Sequence, residues 1–441
     1  SDGDGRADEV DQCPDHPLVN DVDHRPIDGF VGDPIGLRVI TVEDGLLMSW
    51  RTPPQDDRDT FAPTRLMMGQ LDLDGAWLGA AVLDDSVSVY ALENQVGAHI
   101  LWSDGGYVAA HLALEDTRTP ACRIEGLGRQ ASLDCASGRF YLASQRIGPN
   151  LVSRHRHDAP VTLYNERPTP EGDGVMPDAN PGAQGNVEAA PWGGGLHASH
   201  THGEFLSGAL EDRYALDLWP LDHRGSPTAP PTTTLPQEQG ARCELHDHLR
   251  WVQFVSAGET AFMIQRPYRS DSLVNMIDAD HDCSDFVRLD HLTTDSQMAT
   301  PLWTGRHLVL ASRDSQGTND AGLSGLFQRI APGPINLGPT VVGEPVEITT
   351  GTFDVAGLDA VWTGTALAFS WVGRTNADLD TALFFRTFSP DGHPLSPAVR
   401  LSPPGVDATD TRLGWDGEAY PLLWRDEAGR WYFTRHRFDC Y

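Results

Sequence analysis

The chain has 441 residues, with 63 acidic side chains against 32 basic ones and a net charge of −31. No lysine occurs, so every basic residue is arginine, which excludes lysine Schiff-base chemistry and a phosphate-binding P-loop; the acidic excess argues against nucleic-acid and membrane-surface partners. No apolar run approaches the ~20 residues that cross a bilayer, while the 39% hydrophobic content suffices for a buried core.

Residues 1–36 read as an acidic extension and residues 37–441 as one folded domain. The extension opens Asp2-Gly3-Asp4-Gly5-Arg6-Ala7-Asp8-Glu9-Val10-Asp11-Gln12-Cys13-Pro14. Carboxylates two apart, with glycines that let the backbone turn tightly, suit a hard oxygen-seeking cation such as Ca²⁺. This run resembles a thrombospondin type 3 repeat, matching it at Asp2, Asp4, Asp8, Asp11, Cys13 and Pro14, and the resemblance implies calcium held by those four aspartates. The absence of an apolar leader at Ser1 suggests a mature or trimmed secreted protein.

From about residue 38 the chain shows short runs rich in Val, Leu, Phe, Trp and Tyr, broken by Gly, Pro, Asp or Asn every eight to twelve residues. That is the pattern of antiparallel strands. Turn anchors fall at Gly45 (before LLMSW), Gly97 (before AHILW), Gly138 (before RFYLAS), Gly195 (before LHASHTH) and His248 (before LRWVQFV). Trp303-Thr304-Gly305, Trp362-Thr363-Gly364 and Trp415-Asp416-Gly417 then precede HLVLAS, ALAFSW and AYPLLW. Each anchor is expected to join a first strand to a second. In the seventh unit 381–387 reads as a third strand, Pro390-Asp391-Gly392 as a turn and 398–401 as a fourth strand. The stretches 166–191, 225–241 and 331–345 read as loops.

Eight units of roughly 50 residues, each long enough for four strands, predict an all-β radial array. Ring closure leaves only short protected edges, so the expected fold is a β-propeller of eight, alternatively seven, four-stranded blades. The last unit has residues for three strands only, and residues 33–42 are expected to complete it. The Trp-x-Gly units resemble the degenerate blades of secreted bacterial propellers.

Three His-x-His pairs occur: His155/His157, His200/His202 with His197 nearby, and His246/His248. Residues two apart on a strand share a face, and imidazoles suit Cu²⁺ or Zn²⁺. His197, His200, His202, His246 and His248 are therefore candidate copper or zinc ligands. Against this, His200 and His202 take the place in their unit that Trp50, Trp102, Trp371 and Trp424 take in others, which points to packing between blades. A second acidic loop, Asp278-Ala279-Asp280-His281-Asp282-Cys283-Ser284-Asp285, offers a further calcium candidate. Ser312-Arg313-Asp314 and Ser389-Pro390-Asp391-Gly392 resemble the Asp-box turns of sialidase propellers.

Six widely spaced cysteines, none in a CxxC pair, fit structural disulfides in an oxidising compartment. The spacing favours Cys122–Cys135 and Cys243–Cys283, leaving Cys13 with Cys440, a pair that a closed ring would bring together. The function expected is that of a secreted or cell-surface module for an extracellular glycan or protein ligand, with a calcium-stabilised N-terminal loop. The alternative is a Cu- or Zn-dependent enzyme with its histidines supplied by neighbouring blades. No catalytic residue and no oligomeric state is legible.

Overall fold

The computed structural model describes residues 23–30, 34–42, 45–52, 64–87, 99–103, 106–110, 121–125, 132–136, 152–156, 159–164, 187–193, 195–204, 213–221, 229, 232–234, 249–267, 271–293, 301–313, 324–375 and 380–437. Among these the protein is all-β, without a helix, and its strands form seven four-stranded antiparallel sheets and one two-stranded sheet.

In chain order, sheet one holds Ile35–Val42, Gly45–Arg51, Thr64–Asp72 and Trp77–Val87. Sheet two holds His99–Ser103, Gly106–Ala110, Ala121–Glu125 and Ser132–Ala136. Sheet three is the pair Val152–Arg156 and Ala159–Tyr164. Sheet four holds Val187–Trp192, Gly195–Glu204, Arg213–Leu221 and Thr232–Thr234. Sheet five holds Leu249–Ser256, Ala261–Pro267, Asp271–Ile277 and Val287–Thr293. Sheet six holds Leu302–Trp303, Leu308–Arg313, Gly325–Ala331 and Thr340–Glu347. Sheet seven holds Thr352–Trp362, Leu367–Thr375, Ala382–Phe388 and Val399–Arg400. Sheet eight holds Ala408–Leu413, Tyr420–Asp426 and Trp431–His436, completed by Arg25–Pro26.

The core lies between neighbouring sheets. Phe327 of sheet six stacks on Phe369 of sheet seven, and Phe385 of sheet seven meets Tyr420 of sheet eight. A strand buried on both faces reads as a continuous apolar run rather than an alternation. That is why LVLASR and LAFSW carry no period of two. Trp50, Trp371 and Trp424 are each at most 1% exposed, in second strands and in the packing role expected of them. Trp102 lies instead in a first strand.

Two local devices set the hairpins. In the Trp-x-Gly units the residue after Trp caps the turn: Thr304, Thr363 and Asp416 accept backbone N–H bonds from His307, Ala366 and Ala419 at 2.9, 2.9 and 2.7 Å. Gly364 sits there at φ 97°, a left-handed conformation that a side chain disfavours. The second device was not legible as a repeat. Hairpins 72–76, 278–282, 389–393 and 426–430 share one bonding scheme, in which the first residue's N–H donates to the fifth residue's carbonyl and the fourth N–H returns to the first carbonyl. The first side chain also accepts the fifth N–H, at 2.8 Å from Ala76, 2.9 Å from Asp282, 3.1 Å from His393 and 2.8 Å from Arg430. The fourth residue is left-handed in all of them, with His281 at φ 65° where the other three have glycine.

Several expectations are corrected. Gly97 precedes the first strand of sheet two, which pairs with the second from Ser103 opposite Gly106. Leu249–Ser256 is likewise a first strand, turning at Gly258 rather than at His248. Glycines outside these turns mimic the signal, because a single short turn cannot say which two strands it joins. Gly138 lies outside the described residues. Part of the expected loops is strand, namely Val187–Trp192, Thr232–Thr234 and Thr340–Glu347. Residues 35–42 do not complete the last sheet. They open sheet one, while Arg25 and Pro26 pair with Phe433 and Tyr432. The reason is packing: Ile27 and Phe30 follow at once and enter the core shared by sheets eight and one.

Candidate functional site

Every substantial sheet-to-sheet contact among the described residues includes a first strand, and none a fourth. Polar side chains on first strands therefore lie where sheets converge. The first strand of sheet seven is irregular, with register shifts between Phe353 and Ala356 and between Ala356 and Asp359. Gly357 brings this backbone against sheet eight so closely that a Cβ there would stand 3.1 Å from the Asp410 carboxylate. Asp359 then reaches sheet eight, its Oδ2 accepting the Leu413 N–H at 2.9 Å while Oδ1 accepts the Ala360 N–H at 2.9 Å.

Sheet eight repeats the manoeuvre toward sheet one. Arg412 donates from Nε to the Leu37 carbonyl at 2.6 Å, and from Nη1 to Asp410 Oδ1 at 2.5 Å and the Thr411 carbonyl at 2.6 Å. Asp410 and Arg412, two apart, share a face and keep 28% and 26% of their side chains exposed. Thr411 faces the other way and donates to buried Ser370 Oγ at 3.1 Å. One polar chain thus links the first strands of sheets seven, eight and one. Burial pushes the Asp359 carboxyl above its usual range, and the Arg412 cation with the Leu413 and Ala360 N–H groups pulls back without cancelling the shift. The arrangement offers a ligand a carboxylate acceptor and a fixed guanidinium donor side by side, next to a carboxyl that holds its proton more readily than usual.

Sequence reasoning missed Asp359, Asp410 and Arg412. The signal available was Asp410-Thr411-Arg412, opposite charges two apart on a strand.

Of the residues singled out from sequence, Asp2, Asp4, Asp8, Asp11, Cys13, His157, Cys243, His246, His248 and Cys440 lie outside the described residues. His155 lies on Val152–Arg156, one of the two described strands of sheet three. His197, His200 and His202 all lie on Gly195–Glu204, paired without a register break to Pro220, Asp217 and Ala215. The 278–285 loop is a hairpin in which Asp278 Oδ1 accepts the N–H groups of Asp280 and Asp282. Among the described residues no group of three or more His, Cys, Asp or Glu is placed to hold a metal ion. Cys122 and Cys135 stand directly opposite each other on the third and fourth strands of sheet two. Cys283 is disulfide-bonded, and no described cysteine is free.

No family model and no curated protein matches the chain. Among solved structures it aligns with a puromycin-hydrolyzing peptidase of Mycobacterium tuberculosis at 13% identity and a TM-score of 0.42, over 94% of this chain and 57% of that one. The chain thus spans little more than half of that protein, and a likeness this loose carries neither site nor activity across.

Proposed function

We propose that the chain is an eight-bladed β-propeller, secreted or displayed at a cell surface, that binds an extracellular glycan or protein through its inner-strand site. The ring is supported by contacts that join sheet one to sheet two, run through sheets three to eight, and return from the first strand of sheet eight to that of sheet one. It is supported too by the last sheet taking its fourth strand from the other end of the chain.

The observation that carries the binding reading is the Asp410–Arg412 pair, held on three sides by Leu37, Thr411 and Asp359's strand yet partly open to solvent. A preorganised donor and acceptor suit the adjacent hydroxyls of a sugar, so a glycan is the favoured ligand. The N-terminal aspartates Asp2, Asp4, Asp8 and Asp11 would add a calcium-stabilised loop.

A glycan panel probed with the purified protein, in calcium and in chelator, tests the proposal. Asp410→Asn and Arg412→Gln should each weaken any glycan bound by at least tenfold while the far-ultraviolet circular dichroism stays unchanged. Full retention of binding by both variants would place the ligand elsewhere.

A further inference from the structure

A second polar cluster lies on the seam between sheets six and seven. The turn joining the first two strands of one sheet and the turn joining the last two of the next emerge at the same end in this antiparallel order. Arg306 and His307 of sheet six thereby face the 389–393 hairpin of sheet seven. Arg306 Nη1 stands 3.1 Å from Asp391 Oδ1, and Arg329 Nη1 stands 3.9 Å from the same oxygen. In a chain of net charge −31, two guanidiniums sharing one carboxylate oxygen reverse the local balance.

The cluster is incompletely bonded. Arg329, 13% exposed, shares its strand face with Phe327, and its buried Nε has no hydrogen-bond partner among the described residues. His307, 4% exposed, bonds the Pro390 carbonyl but leaves its buried Nδ1 without a partner among those residues. Buried polar atoms are rarely left this way without a reason. Burial, with Arg306 and Arg329 adding to it, holds the His307 imidazolium below its usual pKa despite Asp391, so an added negative charge would be welcome. Asp391 is 52% exposed. Its hairpin is fixed by Ser389 and His393 rather than by the arginines, so its carboxylate can swing out without opening the turn.

We propose that Arg306, His307 and Arg329 form a binding site for a tetrahedral oxyanion, sulfate or phosphate, free or as an ester, with Asp391 as the resident carboxylate that a ligand displaces. Such an anion has enough acceptors to engage both guanidiniums at once, as one carboxylate oxygen held at 3.1 and 3.9 Å does not.

The test is a titration of the intact protein with sodium sulfate against sodium chloride at matched ionic strength, followed through the His307 ring resonances. Glucose 6-sulfate is run in parallel to separate a free anion from an ester. Asp391→Asn should bind sulfate at least tenfold more tightly than the parent protein, and the Arg306→Gln, Asp391→Asn double variant should lose that gain. Arg306 is 70% exposed, so Arg306→Gln alone leaves the fold intact and should weaken the sulfate response at least fivefold. Tighter binding of glucose 6-sulfate than of sulfate would assign an ester ligand, and the reverse a free anion. Asp391→Asn responding to sulfate no more than to chloride, or Arg306→Gln leaving the response unchanged, would overturn the site.

Discussion

Asp416 closes the turn before the second strand of sheet eight with its side chain only 1% exposed. Burial alone would raise its pKa, but Arg435 Nε at 2.7 Å and the N–H groups of Glu418 and Ala419 outweigh that and hold it below the usual carboxylate value. Asp426 follows the same logic, with burial outweighed by the Arg430 N–H and side chain and by the Tyr432 hydroxyl. A carboxylate depressed in the folded state stabilises the fold above its unfolded pKa of about 4 and stops doing so as pH falls through the lower folded value. Asp416→Asn keeps an acceptor for the turn but loses the ion pair. Denaturant titration at pH 7 should show a loss of roughly 1.5–3 kcal/mol, shrinking as pH falls below about 4 and through the depressed folded value, where the parent's Asp416 itself becomes protonated. At this scale Trp50, Trp371 and Trp424 were legible as packing residues because large aromatics recur at one strand position. Asp359 was not, because nothing local marks an aspartate whose oxygen accepts an N–H 54 residues away.

The Trp-x-Gly hairpins were legible as elements because their chemistry is local: a capping Thr or Asp, then a left-handed glycine. Gly364, at φ 97° and with no atom within 4 Å of where a Cβ would stand, isolates the backbone cost from any clash. Gly364→Ala should therefore lower stability by only about 1 kcal/mol in urea titration, and a loss several times larger would mean that the turn also makes contacts beyond itself. The second hairpin type escaped notice because two of its copies are disguised. Ser389 replaces the aspartate and His281 the glycine, and only the shared bonding scheme identifies them. The acidic residues of 278–285 suggested a cation for the same reason, since a carboxylate that caps backbone N–H groups is written in sequence like one that waits for calcium.

At the scale of the molecule, the segment 23–30 ties the two ends of the chain together. Arg25 and Pro26 pair with Phe433 and Tyr432, the Ile27 N–H bonds the Trp431 carbonyl at 2.8 Å, and the Phe30 ring packs among Trp50, Trp77 and Trp431 at centroid distances of 4.9, 5.5 and 5.9 Å. Phe30→Ala should cost about 3–5 kcal/mol by emptying that aromatic cluster and speed amide exchange across Trp431–His436. Unchanged exchange there would show that the strap is not what secures the last sheet.

By itself the sequence determined the class and grain of this protein: all-β, antiparallel, built of four-strand units with turns that carry glycine two residues after a tryptophan. These features follow from neighbours within a few residues, where side-chain pattern and turn chemistry act directly. The tertiary structure alone decided where each unit begins, that residues 25–26 rather than 33–42 finish the last sheet, and that Asp359, Asp410 and Arg412, from two first strands, meet against Leu37 of a third. Those outcomes depend on pairing register and on contacts between residues hundreds of positions apart, for which a strand's own sequence offers several nearly equivalent partners.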